Sequence, residues 1–147
     1  MASLGGPRWR IGSADWQLTV DSWLRAAALI VVVIGDSGGL HWELERIGSL
    51  ELARRLILVV PPVQFIPLPP ASATADRLVA LERDWGSAAE CLSDPRVNLP
   101  RSIDADKARM ILPGVGREAV MITSSGSDTS DYESALDAAL DLYYDRR

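Results

Sequence analysis

The chain has 147 residues, of which 48% are hydrophobic and 24% are charged, and its formal net charge is −5. This length fits one domain spanning residues 1–147, and the hydrophobic content is too high for a disordered protein. Nucleic acid is not an expected partner, because phosphate backbones are bound by clustered lysine and arginine, and the sequence has no basic patch.

Targeting and redox signals point to a cytoplasmic protein. The most apolar run, residues 26–34, is shorter than the ~20 residues that cross a bilayer, so no membrane contact is expected. Residues 1–10 lack the apolar segment of a secretory signal. Because the chain has one cysteine and one histidine, it forms no intrachain disulfide and no structural zinc site. We therefore expect no metal and no resident cofactor.

Apolar periodicity predicts alternating helices and strands. The predicted elements are a helix over 14–27 capped by Ser13, a strand over 29–34, a glycine turn over 35–39, a helix over 40–52, a strand over 56–60, a helix over 74–92, a hairpin of strands 108–112 and 119–123, and a helix over 131–144. Strand 29–34 is apolar at every position, which is typical of a strand buried on both faces of a parallel sheet.

This order predicts an α/β fold with an open, mostly parallel, flavodoxin-like three-layer sheet, ending in a β-hairpin and a helix. Such folds usually begin with an apolar central strand, and only residues 8–11 precede the first helix. The sequence thus leaves open whether the chain is a piece of a larger domain that lacks its first strand.

The best candidate site is the turn Gly35-Asp36-Ser37-Gly38-Gly39. In open α/β sheets, ligands bind beyond the carboxyl ends of the strands, where loops lead into helices. The glycines would allow unusual backbone angles and close approach of a ligand, and the free amides of the helix start would hold an anion or sugar hydroxyls. A plain tight turn with no ligand is the alternative.

The helix after the turn predicts where its acids point. At ~100° per residue, Glu43 lies about 60° from the middle of the buried stripe and Glu45 nearly opposite it. Burial would raise the pKa of Glu43 and the helix N-terminus would lower it, a setting suited to a catalytic carboxylate. Alternatively, Glu43 caps the helix or pairs with Arg46 or Arg25. The stripe consists of Leu40, Leu44 and Ile47.

Other side chains near the turn have a functional and a structural interpretation. His41 either hydrogen-bonds a ligand or is structural, and Trp42 either packs on a neighbouring element or joins a subunit contact. Residues 35–39 also fit the G-x-S-x-G nucleophile elbow. However, Ser37 lacks a histidine base, because His41 stands at the start of the same helix.

Residues 31–47 resemble a family. Gly39-Leu40-His41-Trp42-Glu43 is similar to the Gly-Thr-x-x-Glu of nucleoside 2-deoxyribosyltransferases, with Leu40 in place of the threonine. The related TIR-like domains also place a Trp and a Glu at this helix start, and residues 55–60 are similar to the next strand in both groups.

The resemblance implies chemistry at an N-glycosidic bond, with a nucleoside or NAD as the small nucleotide-type ligand. Glu43 would attack or stabilise the sugar C1′ atom, while Asp36 would bind sugar hydroxyls or assist the departing base. The alternative is a non-catalytic nucleotide-sensing or protein-interaction module of the same fold, and homo-oligomerisation stays open. We predict a pocket bounded by Asp36, Gly38, Gly39 and Glu43. The ligand-binding set would be Gly35, Ser37, Gly38, Gly39 and His41.

Overall fold

The computed structural model describes residues 15–145. Ser13 and residues 8–11, on which two of the sequence predictions rest, lie outside this range. The elements are α1 (Trp16–Ala26), β1 (Ile30–Val33), α2 (Gly38–Ser49), a 3₁₀ turn (Ala53–Arg55), β2 (Leu56–Val59), a 3₁₀ turn (Val63–Phe65), α3 (Thr74–Cys91), β3 (Val97–Asn98), β4 (Ala108–Leu112), β5 (Gly114–Val115), β6 (Val120–Thr123) and α4 (Thr129–Asp145).

The main sheet is mixed and has the strand order β1-β2-β4-β6. Strands β1 and β2 are parallel neighbours, with Ile30 opposite Leu56 and Val33 opposite Val59, which confirms their predicted pairing. Strand β4 runs antiparallel to β2 and to β6, so β4 and β6 form the predicted hairpin. The α/β class is confirmed, but the expectation of a mostly parallel sheet is wrong. An apolar strand has the same residue pattern in either direction, so the direction of β4 could not be predicted from its apolar pattern.

Helices cover both faces of the sheet. One core cluster joins β1, β2 and β4 to α1, α2 and α3, and it contains the fully buried Leu44, Ile47 and Leu58. The second cluster lies on the other face, where Ile57 of β2 and residues of β4 meet α4. Side chains of β2 therefore alternate between two helical layers, as expected for successive residues of a strand.

The predicted burial of β1 on both faces is wrong. Its residues alternate between buried and exposed, and Val31 and Val33 remain 49% and 55% exposed. The cause is the position of α4, which packs on β4 and β6 and leaves β1 uncovered on that face. Among the described strands, β1 lies at the sheet edge and β4 is buried at every residue.

Membrane-spanning helices are not found within residues 15–145, where each helix is too short or too polar to cross a bilayer.

Candidate functional site

The turn after β1 leads directly into α2, which begins at Gly38 rather than at the predicted residue 40. Ser37 is the N-cap, and its Oγ accepts a hydrogen bond from the Leu40 amide at 3.1 Å. A capping serine occupies one of the amides that a helix start leaves unpaired. Ser37 therefore has a structural role, while Asp36, Ser37 and Gly38 are all exposed to solvent.

The glycines of the turn do not need their conformational freedom. Positive φ occurs among the described residues at Glu51 and Gly116, and not at Gly35, Gly38 or Gly39. The expectation of unusual backbone angles at this turn is thus wrong. A Cβ atom added at Gly38 would meet nothing within 4 Å. The space beside the Gly38 Cα atom is therefore open, and the first amides of a helix have no intrahelical partner.

Glu43 occupies the predicted position on α2. Leu44 is fully buried, Glu45 is exposed, and Glu43 is half-buried, which confirms the helical phase. The pairing of Glu43 with Arg25 or Arg46 is wrong, because Asp21 of α1 binds both arginines. Glu43 forms no ion pair with any residue of the described chain, and burial raises its pKa.

Asp84 of α3 is an acid that the sequence analysis missed. It is 5% exposed and makes no hydrogen bond or ion pair within residues 15–145. Its pKa is raised, first by burial and second by the charge of Asp36, while Arg83 and His41 act in the opposite direction. These interactions place Asp84 beside the turn. The sequence feature that could have revealed Asp84 is its position within the apolar stripe of α3, next to Trp85.

His41 completes a polar group at this end of the sheet. Its Nε2 atom is buried and has no hydrogen-bond partner in the described part of the chain. A buried polar atom without a partner costs about 1–3 kcal/mol, so such atoms are uncommon in folded proteins. The charge of His41 counteracts the raised pKa of Asp84, so the two side chains lie near each other.

Glu43 and His41 lie on different sides of α2. Residues two positions apart on a helix differ by about 200°, so their side chains diverge. Between them, Trp42 packs edge-to-face on Trp16 of α1 with ring centroids 5.0 Å apart, which confirms a packing role. The structure therefore groups Asp36 and His41 with Asp84, and it places Glu43 on the other flank of the helix start.

Four cavities are described, and the residues of the turn line none of them. The pocket bounded by Asp36, Gly38, Gly39 and Glu43 therefore stays a prediction. No cluster of three or more His, Cys, Asp or Glu side chains within residues 15–145 is arranged to hold a metal ion.

Comparison with protein-family models, with curated proteins and with solved structures gives no significant match to this chain.

Proposed function

We propose that the domain binds a nucleotide-type ligand at the turn between β1 and α2, and that it cleaves or transfers the N-glycosidic bond of this ligand. The observation that carries the proposal is Glu43, a half-buried carboxylate in the first turns of α2 with no ion pair among the described residues. Burying a charge is unfavourable unless an opposite charge compensates it. The positive charge that develops at a sugar C1′ atom during cleavage would provide this compensation.

The groups on both flanks of the helix start would have a role in this reaction, with Asp36 and His41 reaching the ligand from the side of α2 opposite to Glu43. Glu43 would attack or stabilise C1′ as the bond to the base breaks. The base of a nucleoside would leave with the bonding electrons and a proton, whereas the nicotinamide of NAD would leave as a neutral molecule with the bonding electrons alone. Asp36 would supply that proton or bind sugar hydroxyls, and water or a second base would release the sugar from Glu43. The amides of Gly38 and Gly39, together with His41, would bind hydroxyl groups.

The local fold supports the same assignment. Strands β1 and β2 are parallel and α2 connects them, which is the unit of flavodoxin-like and TIR-like domains that carries a ligand at its βα turn. We propose that the domain is a divergent member of the deoxyribosyltransferase-like and TIR-like superfamily.

A base-release assay tests the reaction. The protein is incubated with NAD and with a panel of nucleosides, and the free base is measured by chromatography. We expect release by the wild type and a loss of about 10³-fold in Glu43→Gln, because this change keeps the size of the side chain but removes its charge. Glu45→Gln, on the exposed face of the same helix, is the matched control and should keep full activity. Base release that survives in Glu43→Gln would exclude Glu43 as the catalytic carboxylate.

A second candidate function is a non-catalytic module that associates through β1. The exposed Val31 and Val33 favour it, together with Phe65, which is 73% exposed. Strand β1 pairs on one side only within the described chain, and a free strand edge can pair with the same strand of a second copy. Light scattering after size exclusion would detect a dimer. In this case we expect Val33→Glu to give a monomer, and a wild-type protein that is monomeric at high concentration contradicts this function.

A further inference from the structure

A cavity of about 280 Å³ lies at the opposite end of the parallel pair from the turn. It opens where β2 begins and where the antiparallel β4 ends, so it is remote from the carboxyl end of β1. Among residues 15–145, its charged lining residues are all arginines, namely Arg54, Arg55 and Arg117. Three guanidinium groups around one cavity repel one another unless an anion lies between them.

The arginines differ in how they are held. Arg55 donates hydrogen bonds to the Ala27 carbonyl at 3.1 Å and to the Arg25 carbonyl at 3.5 Å, so it is fixed at the end of α1. The guanidinium groups of Arg54 and Arg117 make no hydrogen bond or ion pair with other residues of the described chain. Arg96, which lines the adjacent cavity with Arg54, is instead neutralised by Glu51 and Asp94.

The backbone places Arg117 at the cavity by a tight turn. A Cβ atom at Gly114 would come within 2.1 Å of the Arg117 carbonyl oxygen, so only glycine permits this approach. Gly116 has a φ of 70°, which also favours glycine. In addition, Asn98 donates its side-chain amide to the Arg117 carbonyl at 2.6 Å. The turn that carries Arg117 is therefore restrained from both sides.

The rest of the lining is mostly apolar, and three of its residues belong to the core. Leu56, Leu112 and Tyr143 contact the cavity and are 2%, 3% and 4% exposed. A cavity with cationic groups and an apolar wall is complementary to a ligand that joins an anionic group to a carbon skeleton. Arginine binds phosphate oxygens through pairs of N–H groups, and three arginines fit a phosphate dianion better than a single carboxylate charge.

We propose that this cavity is a second binding site, and that it binds a small organic phosphate with the phosphate held by Arg54, Arg55 and Arg117 and the organic part against Leu56 and Leu112. This site shares no residue with the turn after β1. It is independent of the N-glycosidic reaction, and either proposal stands or fails alone.

Calorimetric titration with phenyl phosphate, a phosphate monoester with an apolar ring, tests the proposal on the full chain. We expect one binding site per chain, with an affinity that falls when salt is raised, since the binding is largely ionic. Arg54→Gln and Arg117→Gln should each weaken binding about tenfold, the effect of losing roughly 1.4 kcal/mol from a charge-assisted contact. Arg83→Gln, an exposed arginine of α3, is the charge-matched control and should leave the affinity unchanged.

Two further probes define the ligand class. Inorganic phosphate should bind more weakly than phenyl phosphate because it lacks the apolar part, and benzoate should bind more weakly because it carries one charge. The melting temperatures of both arginine variants should match the wild type, which separates lost binding from lost folding. The proposal is overturned if the wild type shows no binding, if neither arginine variant weakens it, or if benzoate or inorganic phosphate binds as tightly as phenyl phosphate.

Discussion

The two ends of the β1–β2 pair carry opposite charges that have no partner within residues 15–145. At the carboxyl end, Glu43 and Asp84 are acids with no ion pair in the described chain, whereas the amino end has Arg54 and Arg117 in the same condition. Elsewhere, Asp21 joins two arginines. Partnered charges such as those of Asp21 stabilise the fold, and we propose that the charges without partners in the described chain mark ligand sites.

The largest expected effect is the loss of stability on replacing Arg109, a structural arginine that lies outside the cavity. Arg109 is 2% exposed and donates to the carbonyl groups of Ala108, Asp106, Ser124 and Gly126. Arg109→Gln removes one buried and three partly buried hydrogen bonds to carbonyl groups, so we expect a loss of about 3 kcal/mol and a fall in Tm of roughly 6–12 °C.

The matched variant replaces Arg117, an arginine of the cavity. Arg117→Gln should change the Tm by less than about 2 °C, because its side chain is exposed and has no partner within residues 15–145, and such a side chain contributes little to stability. Thermal unfolding of both variants checks it. An equal destabilisation by the two changes would mean that Arg117 is structural.

Asp84 should reduce stability at neutral pH. Burial raises its pKa above the ordinary 3.8, so its contribution to stability is fully present below that value and is lost as pH rises through the folded-state pKa. Asp84→Asn removes the charge, and we expect Tm at pH 7 to rise by about 3 °C, as roughly 1 kcal/mol would give.

The pH dependence distinguishes this cause from improved packing. The Tm difference between Asp84→Asn and the wild type should shrink as the pH falls towards 4, where the wild-type carboxyl takes up a proton. A variant that is less stable than the wild type at pH 7 would show that Asp84 has a favourable partner.

The features that the sequence predicted correctly depend on local periodicity. The burial of Leu44 and Ile47, the exposure of Glu45 and the intermediate position of Glu43 follow from 100° per residue along one helix. The pairing of β1 with β2 follows from two apolar strands joined by one helix. For this reason the position of the candidate carboxylate could be stated before the fold was known.

The features that the sequence did not predict depend on contacts between distant segments. The exposure of Val33 follows from where α4 packs, almost 100 residues later in the chain. The approach of Asp84 to Asp36 requires α3 to lie beside α2, and the arginine cavity joins residues 54–55 to residue 117. Apolar patterning predicts which face of a helix is buried, but not which element packs on that face. Neither the approach of Asp84 to Asp36 nor the arginine cavity could therefore be predicted from the pattern alone.

Gly38→Ala distinguishes the effect of the turn on stability from its effect on ligand binding. Gly38 is the first residue of α2, its φ is not positive, and a Cβ atom there has free space. The change should stabilise the protein by about 0.4–1 kcal/mol, because alanine has less conformational freedom in the unfolded chain. If a ligand approaches this backbone, the same change should weaken ligand binding. A destabilised variant would contradict the described backbone at the turn.

The smallest expected effect is electrostatic. The charge of Asp36 raises the pKa of Asp84 after burial does, so Asp36→Asn should lower the pKa of Asp84 while leaving it above the ordinary value. A ¹³C-detected titration of the side-chain carboxyl groups measures the shift. An unchanged Asp84 titration would place the two carboxyls too far apart to share a site.

The same titration of the wild-type protein tests the central claim, which is that the half-buried carboxylate of Glu43 has no cationic partner within residues 15–145. We predict that Glu43 titrates above its ordinary pKa of 4.5, because burial disfavours its charge, whereas Asp21 titrates below 3.8, because Arg25 and Arg46 donate hydrogen bonds to it. A Glu43 that titrates below its ordinary value would mean that a cation already neutralises it, and the account of the turn as a ligand site would be wrong.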